Sequence, residues 1–156
     1  MTIIDLSVSY SQIAVFDGHL DHPFNDWRPE HVDQGFAWRP GSVSFSTLVQ
    51  SGRIAVSITL AGVEDEVRRD ASRVIVVPFF VPGHGEVEVA TISGSAAFSM
   101  RPGAYSLTFS HGVLDGGDMW AKFVFARTLE PIEAKIELAD QLLKVPERLV
   151  MSADPA

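Results

Sequence analysis

Apolar and polar residues alternate along most of this chain, and this alternation is the main indication of its secondary structure. Side chains on a β-strand point to opposite faces in turn, so an alternating run predicts a strand with one buried face. Turn residues separate the clearest runs, which are residues 53–60, 86–92, 96–109 and 119–127. In the run 53–60 the alternating apolar residues, including Leu60 at its end, are expected to face the core.

The segment 96–109 predicts a β-hairpin around which the other strands would be organised. Pro102 has the φ angle that the second position of a type II turn requires, and Gly103 tolerates the positive φ of the third position. Such a turn would place Met100 opposite Tyr105 in neighbouring strands. The apolar side chains would then share one face: Phe98, Met100, Tyr105, Leu107 and Phe109.

The segment 36–45 repeats this arrangement around a second Arg-Pro-Gly turn at 39–41. We interpret the repetition as convergence on the same turn chemistry and not as an internal duplication, because the rest of the two halves does not align convincingly. The residues expected on one face of this second hairpin are Phe36, Trp38, Val43 and Phe45.

Two further segments predict strands with irregularities. Apolar positions change parity within residues 6–16, and a bulge at Ser11 or Gln12 explains the change most simply. Residues 73–81 are almost continuously apolar, which predicts a strand that is buried on both faces or lies at a sheet junction. Pro78 within that strand indicates a bend or a sheet edge, because proline cannot donate a ladder hydrogen bond.

Helical signals are few. Residues 29–34 predict one short helix that begins with proline and ends at Gly35. Residues 131–144 fit both a helical and a strand period, and strand is favoured because alternation accounts for every charged residue. Residues 61–72 and 111–118 have no sustained period and are predicted loops.

These elements predict an all-β protein, an antiparallel β-sandwich of about eight strands with one short helix. The length of 156 residues is close to the usual size of one domain, so we expect a single domain over 1–156. Residues 146–156 are expected to form an extended tail, partly ordered by Leu149 and Met151.

Charge and composition exclude several classes of function. The 20 acidic and 12 basic residues give a net charge of −8, which disfavours nucleic-acid binding because that binding depends on cations. The chain has no cysteine, which fits a reducing compartment. No signal peptide or membrane-spanning run of about 20 apolar residues is recognisable. We therefore expect a cytoplasmic protein that binds neither nucleic acid nor membranes.

The loop after residue 16 contains a group of potential metal ligands. Asp17, His19, Asp21 and His22 lie within six residues, and imidazole and carboxylate groups suit Zn²⁺ or Ni²⁺. No further histidine stands at a fixed spacing from them. A solvated loop is therefore the favoured interpretation, and we assign no metal and no cofactor.

No catalytic motif is assembled in the sequence. There is no Gly-x-Ser-x-Gly elbow, and the glycines of the 111–118 segment precede neither a helix nor a lysine that would form a phosphate-binding loop. The paired carboxylates Glu64 and Glu66 fall in a predicted loop. We predict no catalytic residues and no enzymatic activity.

Several segments resemble the competence protein J family. The resemblance extends over about two thirds of the chain, and the motifs that carry it are Leu6–Phe16, Asp26-Trp27, Gly35–Trp38, Gly41–Phe45, Val77–Phe79 and Phe98–Leu107. This family is known from the inhibitor of a bacterial DNA-entry nuclease, so the resemblance implies a protein-binding inhibitor. Residues 19–22 and the segment after Asp118 depart from the family pattern.

The resemblance and the charge favour a non-catalytic inhibitor or immunity-type protein whose partner is a nuclease with a basic surface. Asp26 and Trp27 are the most suggestive contact pair, because aromatic residues beside acids also form the anchors of interfaces, although a tryptophan in a polar loop is more often simply a lid on the core. The complete set of expected partner-binding residues is Asp17, Asp21, Asp26 and Trp27.

Two other hypotheses stay open at this point. One is a small-ligand or carbohydrate-binding β-sandwich that uses the 17–27 loop. The other is a metal-dependent enzyme centred on the histidines of that loop. The sequence decides neither the oligomeric state nor the identity of a nuclease target.

Overall fold

The computed structural model describes residues 2–61 and 70–156. The predicted loop at 61–72, with Glu64 and Glu66, therefore lies largely outside the described residues. The described part forms these elements: β1 (Thr2–Val8), β2 (Gln12–Asp17), α1 (Pro29–Gln34), β3 (Phe36–Arg39), β4 (Ser42–Ser46), β5 (Gly52–Ala61), β6 (Arg73–Val81), β7 (Glu86–Ala90), β8 (Ser95–Ser99), β9 (Gly103–Val113), β10 (Met119–Arg127) and β11 (Lys135–Leu138).

The strands form two sheets. The larger sheet has the order β1-β5-β10-β9-β6-β11, and the smaller has the order β3-β4-β2-β7-β8. This confirms the all-β sandwich, although eleven strands are described where about eight were expected. The prediction of a purely antiparallel sandwich is wrong for one pair, because β5 and β10 run parallel. Within the described residues no helix has the length and apolar character needed to cross a membrane.

Aromatic side chains fill the space between the two sheets. Phe45 of the smaller sheet stacks on Phe109 of the larger one, with ring centroids 4.4 Å apart and an interplanar angle of 19°. Phe123 lies beside both rings, at 5.9 Å from Phe45 and 5.4 Å from Phe109. Such contacts add about 0.5–1.5 kcal/mol each to the gain from burying the rings. The sheets therefore share one apolar interior.

The predicted hairpin at 96–109 is wrong. Its two strands belong to different sheets, since β8 pairs with β7 and β9 pairs with β6 and β10. The predicted side-chain faces are nevertheless correct, because Met100 and Tyr105 are both buried. Alternation shows which face of a strand is buried, and both sheets of a sandwich bury an inner face. The pattern therefore cannot distinguish a hairpin from a crossing between sheets.

The hairpin at 36–45 is confirmed. β3 and β4 pair with Phe36 opposite Phe45 and Trp38 opposite Val43, and Gly41 in the turn has a φ of 85°. The Arg-Pro-Gly tripeptide at 39–41 therefore forms a hairpin turn, whereas the same tripeptide at 101–103 connects the two sheets. The idea that both had converged on one turn geometry is wrong.

The predicted bulge in residues 6–16 is also a crossing between sheets. β1 belongs to the larger sheet and β2 to the smaller, and the chain turns at Tyr10 and Ser11. Both residues have a φ of 56°, in the left-handed region that L-residues seldom adopt. A parity change in the sequence thus marks a change of sheet.

The predictions for the remaining elements have mixed outcomes. The short helix is confirmed as α1, and Gly35 ends it with a φ of 85°. Strand rather than helix is confirmed for residues 135–138. Leu60, expected in the core, is 53% exposed. The predicted loop at 111–118 is wrong at its start, because β9 continues to Val113.

Pro78 lies where β6 becomes an edge, as its residue type indicates. β11 pairs with β6 only between Val74 and Val76, so one side of Pro78 has no neighbouring strand among the described residues. The carbonyl oxygen of Pro78 accepts a hydrogen bond of 2.8 Å from the indole Nε1 of Trp38. A side chain of the smaller sheet therefore supplies the hydrogen-bond donor that the free edge of β6 lacks at Pro78.

The tail at 146–156 is held against α1. The side-chain amide of Gln34 donates to the carbonyl of Val150 at 2.9 Å, and its oxygen accepts from the Val150 N–H at 2.8 Å. His31 Nε2 lies 2.9 Å from the carbonyl oxygen of Ser152. Two tail residues pack against the core, as predicted: Leu149 and Met151.

A buried ion pair connects the strand region with the C-terminal segment. Arg73 in β6 is 1% exposed at its side chain, and it donates from Nε and Nη2 to the two carboxylate oxygens of Asp140 at 2.6 and 3.0 Å. Its Nη1 donates to the carbonyl and hydroxyl oxygens of Ser46, both at 2.8 Å. Burial alone would raise the pKa of Asp140, but the hydrogen bonds and charge of Arg73 and the N–H of Leu142 lower it.

His111 lies buried between two backbone groups. Its Nδ1 is 2.7 Å from the carbonyl oxygen of Trp120, and its Nε2 accepts from the N–H of Leu48 at 2.9 Å. These partners fit a neutral imidazole that carries its proton on Nδ1. Burial lowers the pKa of His111 to about 4, although the bond to Trp120 acts in the opposite direction.

This environment predicts a loss of stability in mild acid. Unfolded His111 takes up a proton near pH 6.5, while the folded protein does so only near pH 4, so between these values the unfolded state holds more protons. The free energy of unfolding should therefore fall by up to about 3 kcal/mol as the pH falls from 6.5 to 4. Urea denaturation at half-unit pH intervals measures the free energy of unfolding as a function of pH.

His111→Gln should be less stable at pH 7 but show a shallower decline over the same interval, whereas His22→Gln, in an exposed loop, should behave as the wild type. The folded protein lowers the pKa of Asp140 from its ordinary range, so the loss of stability linked to that carboxyl occurs mainly at more acidic pH and does not mask the effect of His111. A wild-type stability that stays constant between pH 6.5 and 4 would contradict this account of His111.

Candidate functional site

Two histidines and two carboxylates meet where β2 ends and β7 begins. Asp17 is the last residue of β2 and His19 follows it in the loop, while His84 precedes β7 and Glu86 is its first residue. We call this group of Asp17, His19, His84 and Glu86 the histidine corner. Sequence analysis identified the first two residues and missed the other two.

The carboxylate of Asp17 contacts both histidines. Its Oδ1 accepts a hydrogen bond of 2.9 Å from the backbone N–H of His19 and lies 2.7 Å from Nε2 of His84. Nδ1 of His84 accepts from the backbone N–H of Glu86 at 2.9 Å. Because Nδ1 is the acceptor, Nε2 of a neutral His84 carries the proton and donates it to Asp17. The His84 ring is therefore fixed at both nitrogens.

The second histidine stacks on the first. The ring centroids of His19 and His84 are 3.7 Å apart, with an interplanar angle of 18°. Nε2 of His19 also contacts the carboxylate of Glu86. One potential ligand atom from each of these three residues lies within 4.8 Å of the other two, and all three residues are exposed. Such a set of nitrogen and oxygen donors is suited to bind a cation.

The pairing of β2 with β7 produces this cluster. Asp17 is opposite Val87 in that ladder, and the next N–H, of Gly18, donates to the Glu86 carbonyl at 2.9 Å. Before β7 the chain makes a tight turn in which the N–H of Gly85 donates to the Pro82 carbonyl at 2.9 Å. This turn presents His84 toward the end of β2.

Gly85 is required by the geometry of that turn. It has a φ of 74°, and a Cβ atom there would lie 2.6 Å from the carbonyl oxygen of Met100. The N–H of Met100 donates to the Gly85 carbonyl at 2.7 Å, so the two backbones are held together. The crossing between β8 and β9 therefore supports the histidine corner.

An apolar cavity of about 410 Å³ opens beside the corner. Its wall includes Trp38, Pro78 and Tyr105 from both sheets, and Asp17 reaches its rim. Phe80, which also lines it, is 63% exposed. The few polar groups on its wall suit an apolar ligand better than a carbohydrate, since sugars require many hydrogen-bond partners.

The predicted partner-binding residues do not form one cluster. Trp27 is half-buried, and its indole Nε1 donates to the side chain of Gln12 at 3.2 Å, at the start of β2. Asp17 is at the end of the same strand, roughly 17 Å away at about 3.3 Å per residue. Asp26 is exposed, and its N–H donates to the Asp154 carbonyl in the tail at 2.8 Å. Asp21 is exposed in the loop between these ends.

The sequence contains no local signal for the complete histidine corner. His84 stands 65 positions after His19, and only the β2–β7 pairing brings the two together. His22, which the sequence groups with His19, belongs to no three-ligand cluster in the part of the chain described. Its carbonyl oxygen accepts instead from the Arg39 guanidinium.

Comparison with known proteins assigns the chain to a family. The family model of Competence protein J (ComJ) matches residues 5–128. The chain belongs to the competence protein J family. A relative from Bacillus subtilis (strain 168), named DNA-entry nuclease inhibitor, is 29% identical over 105 residues, which are 67% of this chain and 76% of the relative.

A solved structure has the same fold. It is described as the crystal structure of ComJ, inhibitor of the DNA degrading activity of NucA, from Bacillus subtilis. The TM-score is 0.68 at 22% identity, and the match covers 82% of this chain and 96% of the other. The likeness confirms the sandwich as the fold of the competence protein J family.

The family match extends further than the sequence motifs indicated. The segment after Asp118 was expected to depart from the family, but the match continues to residue 128 and includes β10. Residues 129–156, with β11 and the tail, lie beyond it. The histidine corner lies within the matched region.

The Gly85 turn yields a prediction with a neighbouring control. Gly85→Ala should lower the free energy of unfolding by about 1–3 kcal/mol, because the new Cβ meets a backbone carbonyl at a positive φ. Gly83→Ala should change it by less than about 0.5 kcal/mol, since nothing lies within 4 Å of a Cβ at that position. Urea denaturation of both variants measures the difference. Equal stability of the two would exclude the proposed close contact with Met100.

Proposed function

We propose that this protein is a non-catalytic inhibitor that binds a nuclease and prevents it from cleaving DNA. Membership of the competence protein J family, over residues 5–128, carries the proposal. The name of the Bacillus subtilis relative and the description of the solved structure both state nuclease inhibition for those proteins. The cysteine-free sequence supports a cytoplasmic site of action.

Electrostatics supports a partner of opposite charge. The chain carries a net charge of −8, and a nuclease must present cationic groups where it binds phosphates. An acidic inhibitor is attracted to such a groove, and complementary charge accelerates association and excludes like-charged partners. Occupation of the groove would keep DNA out without any chemistry by the inhibitor.

The acidic surface that we propose as the contact is formed by the loop after β2 together with the tail. We define this acidic loop–tail face by Asp21, Asp26 and Asp154, which are all exposed. Backbone hydrogen bonds hold the two segments side by side, from Asp26 N–H to the Asp154 carbonyl at 2.8 Å and from Ala156 N–H to the Phe24 carbonyl at 3.0 Å. Because the backbone is fixed, little conformational entropy is lost on binding.

Trp27 would supply apolar contact area next to these acids. Its half-buried ring keeps one part accessible, and its bond to Gln12 holds the ring in place. Preordered aromatic rings are frequent anchors of interfaces. We set Asp17 apart from this face, because its carboxylate already accepts from His19 and His84 at the other end of β2.

A nuclease assay tests the proposed function directly. The nuclease encoded nearest in the same genome is incubated with labelled DNA while this protein is titrated in. We expect cleavage to fall to background near one equivalent of inhibitor. Undiminished cleavage at several-fold excess, together with no complex in calorimetry, would reject inhibition of that nuclease and favour a ligand-binding sandwich.

Charge reversal on the acidic loop–tail face tests the proposed contact. Asp26→Lys should slow association about three- to tenfold at low salt, and the difference should shrink as salt screens the charges. Asp115→Lys is the matched control, because it changes the net charge equally in the exposed loop between β9 and β10. Stopped-flow binding measures both rates. Equal slowing by the two variants would assign the effect to net charge alone.

Truncation of the aromatic ring tests the anchor separately. Trp27→Ala should mainly accelerate dissociation, by about tenfold or more if the ring is an anchor, and leave association nearly unchanged. Dissociation is followed by competition with unlabelled inhibitor. Gln12→Ala removes the partner of the indole but keeps the ring, so a comparable acceleration by Gln12→Ala would show that ring placement and not contact area is responsible.

A further inference from the structure

We propose that the histidine corner binds a divalent transition-metal ion of the zinc class. The protein ligands are a ring nitrogen of His19, a ring nitrogen of His84 and the carboxylate of Glu86, and Asp17 is a positioning residue for His84. This site is independent of the proposed nuclease contact, which we place on the acidic loop–tail face.

The potential donor atoms are already close together. The three potential ligand atoms lie within 4.8 Å of one another. Zinc binds nitrogen and oxygen at about 2.0–2.2 Å, so ligands of a tetrahedral ion are about 3.4 Å apart. The two rings are stacked at 3.7 Å and 18°, so coordination also requires the His19 ring to rotate out of the stack while the ligand atoms move by about 1 Å. The side chains of His19 and Glu86 are more than half exposed, so they can move toward the fixed His84 ring without repacking the core.

Asp17 gives His84 the orientation that metal-bound histidines generally have. A histidine that coordinates through one nitrogen usually donates its other N–H to a carboxylate or a carbonyl. Nε2 of His84 lies 2.7 Å from Oδ1 of Asp17, which leaves Nδ1 as the coordinating atom. Nδ1 now accepts from the N–H of Glu86 at 2.9 Å, and binding of the metal replaces this hydrogen bond as well as the contact between His19 and the Glu86 carboxylate.

The type and number of donors indicate which metal is bound. Two imidazoles and one carboxylate favour Zn²⁺, Ni²⁺ or Cu²⁺ over Mg²⁺ and Ca²⁺, which prefer oxygen ligands in larger number. Three protein ligands leave a fourth position of a tetrahedral ion to water. The corner is open to solvent, so a free ion can enter it. His19 then serves as a metal ligand, whereas His22 stays a solvated loop residue.

Other histidines of the chain do not compete for this role. His31 and His111 are buried, and their ring nitrogens are engaged with backbone groups. His22 lies only three residues from His19 but in no described cluster of three ligands. It therefore provides a matched control, because it is a histidine of the same loop as His19 but lies outside the three-ligand cluster.

The test is calorimetric titration of the untagged full chain with ZnCl₂, and separately with MgCl₂. We expect one equivalent of zinc per chain, no comparable binding of magnesium, and a melting temperature raised by about 5 °C or more at a hundredfold excess over the dissociation constant. Absorption of Co²⁺ in the visible region, used as a probe, reports the number and type of ligands.

Variants distinguish the corner from adventitious binding. His84→Ala and His19→Ala should each weaken zinc binding at least about tenfold, while His22→Ala should leave it unchanged. Asp17→Asn should weaken it about tenfold while the one-to-one stoichiometry and the Co²⁺ spectrum persist, since Asp17 acts through His84. Thermal melts without metal verify that each variant is folded.

Three results would overturn the proposal. The first is that the wild type binds no zinc at a zinc concentration of about 100 μM. A dissociation constant above that concentration would be far weaker than that of protein zinc sites. The second is equal weakening by His22→Ala and His84→Ala, which would indicate diffuse binding by the loop. The third is equally strong binding of magnesium. None of these results bears on nuclease inhibition, so the two proposals fail separately.

Discussion

Everything in this fold depends on the two sheets sharing one dry interior, and the stacking of Phe45 on Phe109 is one of the aromatic contacts through which they meet. Burial of these rings requires that the chain bring both sheets to the same space, so it must cross between them repeatedly. Among the described strands it does so four times, between β1 and β2, β4 and β5, β6 and β7, and β8 and β9, and several of these crossings place special requirements on the backbone. Tyr10 and Ser11 adopt positive φ, and the crossing between β8 and β9 passes against Gly85. The unusual backbone conformations at these crossings are consequences of closing the sandwich.

Local sequence determines the strands and their buried faces, but it does not determine their partners. The two Arg-Pro-Gly segments make this plain. At 39–41 the turn joins neighbours in one sheet, and at 101–103 it passes from one sheet to the other. Inward-facing residues are correctly predicted in both, because burial depends on alternation. Pairing depends on the distant strands available, such as β6 and β10 for β9, and a short segment holds no information about them.

The same limit applies to the site. The residues of the 17–28 loop stand out because polar side chains, two histidines and a tryptophan are rare together in a strand-rich chain. The loop alone suggested one surface, whereas β2 separates Asp17 from Trp27 by its full length. Conversely, the sequence around His84 and Glu86 gives no sign of a site, and these residues approach Asp17 and His19 because β2 pairs with β7. The residue types in the loop indicated potential ligands and contact residues. The pairing of the strands determined which of these side chains lie close together.

The buried pair of Arg73 and Asp140 also restricts how this chain can evolve. Arg73 lies in the part that matches the competence protein J family, and Asp140 lies beyond it. Removing one buried partner costs about 3–5 kcal/mol, whereas replacing both by apolar residues can be neutral. Either single substitution is therefore expected to destabilise the fold, and the two positions are expected to change together. Lineages that lack the segment around residue 140 are expected to carry an uncharged residue where this chain has Arg73.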